Sequence, residues 1–137
     1  MATGKQHPHL ATPSDDDLRA VIDRLHPQHE ALYLAVHALV LGAVSDVRIE
    51  VDLVDGSIGY GARQYGYGGW GMAALSAHKG WVSLFFMQGA LLPDPNGVLE
   101  GSGKLLRHVK LRSLQALEVH TEDVRTLVMA ARRMHAG

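Results

Sequence analysis

The chain has no cysteine among its 137 residues, which rules out disulfides, thiolate metal sites and cysteine nucleophiles and gives no sign of an oxidising compartment. An excess of either charge is missing too. Thirteen Lys and Arg stand against fourteen Asp and Glu, a formal net charge of -1 with a pI near 6.7. Broad capture of nucleic acid calls for a strongly basic domain or face and is not expected, while a local cationic patch is allowed. Nor is there a long apolar run. The most apolar stretch, Ala31 to Val44, is interrupted by His37 and falls short of the roughly 20 residues that span a bilayer, so it reads as a buried helix. No G-x-S-x-G elbow surrounds Ser57, Ser76, Ser83, Ser102 or Ser113, and no His-Glu-x-x-His helix occurs. These absences point to a cytoplasmic, non-enzymatic protein away from membranes, a monomer or homodimer, with no catalytic residue to nominate.

A chain of this length fits one domain and buries about two-thirds of its unfolded surface. Residues 1–13 mix Lys5, two histidines and two prolines with no continuous apolar region, and read as a flexible tail ahead of a single domain over 14–137. Ser14 followed by Asp15, Asp16 and Asp17, then Leu18, Val21, Ile22 and Leu25 at helical spacing, predicts a capped amphipathic helix. Pro27 is placed to open a second helix through about Leu41. From Val47 the period changes to two: Val47, Ile49, Val51 and Leu53 alternate with Arg48, Glu50 and Asp52. Asp55-Gly56 then turns the chain into strands expected at Ile58–Tyr67, Met72–Ala77 and Trp81–Met87. Leu92 to Gly103 reads as a long surface loop, Leu105 to Leu111 as a last strand, and Thr121 as the cap of a closing helix. The expected fold is α+β, a two-layer sandwich of an antiparallel sheet with helices on one face.

Several motifs invite a chemistry. Gly66-Tyr67-Gly68-Gly69-Trp70-Gly71 matches G-x-G-x-x-G, but a strand pattern follows it where a dinucleotide site needs a helix N-terminus, so a hairpin turn is the better reading. Gly101-Ser102-Gly103-Lys104 lacks the earlier glycine and the Ser or Thr of a phosphate loop, leaving at most a looser anion nest. On the closing strand, Lys104, Leu106, His108, Lys110 and Arg112 share one face, and His78 and Lys79 from the neighbouring strand extend it. Such a face either is solvated and discourages edge pairing or docks a small anion or an acidic partner. Arg107 falls among apolar neighbours on the other face and calls for a carboxylate, with Glu100 and Glu118 nearby in sequence. The nine histidines include the close pairs His7, His9 and His26, His29, without the three or four gathered ligands of a zinc site. Asp15, Asp16 and Asp17, with Glu50, Asp52 and Asp55 of the first hairpin, offer a hard-ligand patch for iron or another cation, against helix capping as the commoner reason for the first three.

Tyr60-Gly61 with Tyr65, Ala77-His78-Lys79 through Val82-Ser83-Leu84, and Gly101-Ser102-Gly103-Lys104 with Arg107-His108-Val109-Lys110-Leu111 follow one another in an order that resembles the YdhG-like family of bacterial proteins. The likeness runs from about Leu25 to the end. Arg63 stands where many relatives have proline, and His78 where many have an aromatic. The resemblance implies an α/β sandwich comparable to frataxin and a connection with intracellular iron delivery. Two functional expectations follow: a binding module that presents its cationic strand face without a cofactor, or, as the alternative, an iron-binding chaperone using the acids.

Overall fold

A computed structural model of the chain describes residues 7–62, 64 and 71–136. Strand β1 (His9–Ala11) leads into α1 (Asp15–Leu25), a 3-10 turn (Pro27–His29) and α2 (Glu30–Ala43). Strands β2 (Ile49–Asp52), β3 (Ile58–Tyr60), β4 (Ala73–Ala77), β5 (Val82–Phe86) and β6 (Arg107–Leu111) follow, and α3 (Leu114–Ala136) closes the chain. The six strands form one sheet in sequence order, with every neighbouring pair antiparallel. The class is α+β, as expected. No helix among the described residues is long and apolar enough to cross a membrane.

The local signals act where the sequence puts them. Ser14 accepts a hydrogen bond from the Asp17 amide at 3.1 Å, and the Asp17 carboxylate accepts one from the Ser14 amide at 2.8 Å, a capping box that satisfies two helix-end donors. Leu18, Val21 and Ile22 are then the buried face of α1. In the sheet, Val51, Ile58, Leu75, Leu84, Val109 and Leu111 point to one face and pack with Val36, Val40, Leu127 and Val128 of the helices. Two tyrosines carry hydroxyls into this core and both find partners: Tyr33 donates to the Gly56 carbonyl at 2.6 Å, and the Tyr60 hydroxyl lies 2.9 Å from His37 Nδ1. Burial pushes the Tyr60 phenol well above its ordinary range and the His37 imidazole below its own. At the surface, the two terminal guanidinium nitrogens of Arg132 reach the Asp46 carboxylate at 2.5 and 2.7 Å, tying α3 to the loop after α2.

Several expectations are corrected. His9–Ala11, read as part of a flexible tail, is an edge strand whose Leu10 pairs with Val51, because β2 would otherwise leave its outer hydrogen-bonding groups bare. Pro27 opens a 3-10 turn, and the α-helix starts only at Glu30. Strand β3 stops at Tyr60, where Gly61 takes a positive φ; the rest of the strand expected to Tyr67 falls largely outside the described residues, as does most of the glycine-rich motif. The last strand begins at Arg107, since the Leu105 carbonyl accepts from the Ala90 amide and does not join the ladder. Thr121 caps nothing. Helix α3 starts at Leu114, the Ser113 hydroxyl accepts from the Ala116 amide, and Thr121 donates to the Leu117 carbonyl inside the helix.

Gly71 is the sharpest backbone constraint. It bridges Tyr60 at φ +66°, and a Cβ there would lie 2.1 Å from the Tyr60 carbonyl oxygen and 2.3 Å from the Gly61 carbonyl carbon. Gly80 has nothing within 4 Å of the same position. Urea melts should therefore show Gly71→Ala destabilised by about 3 kcal/mol or more and Gly80→Ala changed by no more than about 0.5 kcal/mol.

Candidate functional site

The face of the sheet turned away from the helices carries the polar residues. Register places them in rows across the strands: Glu50 opposite Gly59, Gly59 opposite Ala74, Ala74 opposite Phe85, and Phe85 opposite His108. The adjoining row runs from Asp52, whose amide donates to the Ser57 carbonyl, through Ser76 and Ser83 to Lys110. At about 4.8 Å per strand, the carboxylates of β2 stand about 19 Å from the cations of β6, with glycine, alanine and serine in most of the places between. One edge is acidic and the other basic.

The basic edge is built around two rings. Lys110 Nζ lies 4.5 Å from the Trp81 ring centroid and the Arg112 guanidinium carbon 5.8 Å from it, while the His78 ring stacks on the same indole at 5.0 Å. His108 stacks on Phe85 at 4.9 Å, nearly parallel. Ser83 Oγ is 3.1 Å from His108 Nδ1. That serine is wholly buried, so the pair orients the imidazole and gives no external substrate a nucleophile. Burial lowers the pKa of His78, aided by the positive neighbours His26, His108 and Lys110. Burial lowers that of His108 as well, with Lys110 adding to the effect and Glu100 opposing it. His78 Nε2 is buried and meets no hydrogen-bond partner among the described residues. Alongside the stacked His108 and Phe85, Ser57, Ala74, Ser76, Phe85, Met87 and Leu106 line a largely apolar pocket of about 250 Å³.

Of the six residues nominated for the cationic face, His78, His108, Lys110 and Arg112 come together at this edge. Lys79 and Lys104 do not. Lys79 sits in the β4–β5 turn, where its carbonyl faces Gln28 Nε2 and His29 Nε2, each at 3.2 Å. Lys104 is exposed in the loop before β6. Arg107 is half-buried, and the partners of its guanidinium among the described residues are the Gly103 and Leu106 carbonyls at 2.6 and 2.8 Å, not Glu100 or Glu118. It stands at the first residue of the strand, from which the side chain folds back on the loop. Sequence reasoning missed Trp81 and Phe85 as the organising rings, although their period-two spacing with Ser83 marks them as sharing one face.

The six nominated carboxylates divide. Asp17 is spent on the capping box and Asp16 on Arg19 at 2.7 Å, while Asp15 lies exposed in the same first turn. Glu50, Asp52 and Asp55 gather instead around the N-terminal histidines. His7 Nδ1 is 2.7 Å from Asp52 and 3.8 Å from Asp55, and His9 Nδ1 is 3.0 Å from Glu50. Burial alone would raise the pKa of Asp52, but the amides of Asp55 and Val54 together with His7 hold it below the ordinary carboxylate value.

Compared with family models, with curated proteins and with solved structures, the chain finds no match.

The lowered imidazoles have a consequence for stability. A folded state that prefers neutral His78 and His108 binds fewer protons than the unfolded chain once pH falls below about 6.5, so that part of the stability is complete above this value and is lost on acidification. Urea midpoints should fall between pH 7.5 and 5.5. The double variant His78→Gln, His108→Gln should show a shallower decline; a slope equal to that of the unaltered protein would show that these rings do not contribute.

Proposed function

We propose that this protein is a non-enzymatic binding module, YdhG-like in kinship and frataxin-like in architecture, that holds a small organic anion against the β5–β6 edge. The observation that carries the reading is the convergence of Lys110, Arg112 and His78 on Trp81 beside an apolar pocket. Cations held over an aromatic face keep N–H groups free for an acid while the ring fixes their positions, which lowers the ordering cost of binding. The pocket supplies the other half of the recognition. Its 250 Å³ is below the roughly 300–1,000 Å³ of drug-sized sites and suits a short acyl chain or a single ring. His108 lies between the two, one strand position from the pocket wall at Phe85 and next but one to Lys110. An acidic protein segment would use the cations and leave the concavity empty. Iron carriage on one patch joining the acids of α1 to those of the first hairpin has less support, because Asp16 and Asp17 are engaged within their own helix turn while Glu50 and Asp52 meet His9 and His7 instead.

Phenyl phosphate and octanoate are the probes that join an acid to an apolar body; inorganic phosphate is the acid alone. Each of the first two, at millimolar concentration, should raise the melting temperature above that in chloride at matched ionic strength, and inorganic phosphate should do so less. Lys110→Gln with Arg112→Gln should weaken binding of both probes about tenfold or more, while Lys104→Gln leaves it unchanged. Equal shifts in the Lys110, Arg112 variant would overturn the reading. Retention of a polyglutamate peptide, with no response to either small probe, would replace the small anion with an acidic protein partner.

A further inference from the structure

At the opposite edge of the same face, we infer that His7, Asp52 and Asp55 form a binding site for a divalent transition metal of the zinc type, which pins strand β1 to the β2–β3 turn. One ligand atom from each of the three residues lies within 4.8 Å of the other two, so that small side-chain rotations bring them to a common ion at about 2.0–2.2 Å. The three come from separate parts of the chain. His7 precedes β1, Asp52 ends β2, and Asp55 lies in the turn beyond it. Asp52 is already set as a ligand: its Oδ1 accepts from the Val54 and Asp55 amides at 2.8 and 3.0 Å, which holds the carboxylate in one orientation and leaves Oδ2 facing His7.

The surroundings of Asp52 are acidic and partly shielded from water. Glu50 and Asp52 share a face of one strand, two residues apart, and are only 8% and 4% exposed, so two carboxylates sit side by side in a partly dehydrated place. His9 lies against both. Its Nδ1 is 3.0 Å from Glu50 Oε1 and its Nε2 is 3.5 Å from Asp52 Oδ2. The donor set then decides which ion. Imidazole with carboxylates suits zinc, cobalt or nickel, whereas magnesium and calcium take oxygen alone. Side chains of His7 and Asp55 are 42% and 47% exposed, which leaves the solvent side open for water to complete the coordination and for the ion to exchange. This site is separate from Lys110 and Arg112 and does not depend on the anion reading.

Zinc titrated calorimetrically into the full chain, produced without a polyhistidine tag and stripped with chelator, should bind at one equivalent. Cobalt should give visible absorption bands of a low-coordinate site with nitrogen ligation, and amide exchange at Leu10 and Ala11 should slow when zinc is added. His7→Ala alters an exposed side chain, and Asp52→Asn keeps the Oδ1 acceptor of the turn, so both variants should fold. Each should weaken zinc binding by more than about tenfold, the loss that removing even an outer partner of a ligand can bring. The Lys110→Gln, Arg112→Gln variant should bind zinc as the unaltered chain does. Zinc affinity unchanged in both His7→Ala and Asp52→Asn would overturn the site, as would displacement of zinc by equimolar magnesium.

Discussion

Because side chains alternate between the two faces of a strand, the antiparallel ladder from His9 to Leu111 assigns each strand residue either to the helices or to the opposite face. A slip of one residue at any pair would turn Leu75, Leu84 or Val109 outward and send Ser76, Ser83 or Lys110 into the core. The packing of α1, α2 and α3 therefore depends on this register, and so does the make-up of both charged edges, since the same alternation that buries one set of side chains lines up the other.

Among the described residues, buried polar groups on the helix side are few and find partners. Tyr33 reaches the carbonyl of Gly56 and Tyr60 meets His37, so the two phenols tie α2 to the β2–β3 turn and to β3 without leaving a bare hydroxyl in apolar surroundings. Gly56 itself holds φ +77° with Val21 and Leu25 packed close to it, which ties the β2–β3 turn to α1. That turn is also where Asp52 and Asp55 are fixed. The stability of the core and the placement of the acidic edge thus share one piece of backbone.

Across the other face the charge is sorted by strand. Acids on β2 answer histidines from the N-terminal segment, cations on β6 gather at Trp81, and small residues lie between them. The separation keeps the two edges electrostatically distinct: about 19 Å exceeds the screening length of about 8 Å at physiological ionic strength. Each edge therefore presents its own chemistry. The aromatic rings at the basic edge add to this, since they restrict the flexible stems of Lys110 and Arg112 in a way that a solvated face would not.

Much of this was legible in the residues taken in order. Ser14 and the three aspartates determined the start of α1, because a capping box closes within four residues; period-two alternation separated Val109 and Leu111 from His108 and Lys110, and Asp55-Gly56 marked the first hairpin. What local pattern does not contain is the choice of partner. Three residues at His9 carry no periodic signal, and they become a strand only because Val51, 41 residues from Leu10, offers an edge. Leu105 alternates like a strand residue, yet its carbonyl is taken by Ala90, so Lys104 leaves the face that its spacing assigns to it. Trp81 collects cations from a strand 29 residues further on, and His7 meets acids 45 and 48 residues away. Spacing along the chain therefore determined which side chains share a face, whereas only the tertiary register decided which of them touch, since contact across strands is set by pairing between segments that carry no local record of each other.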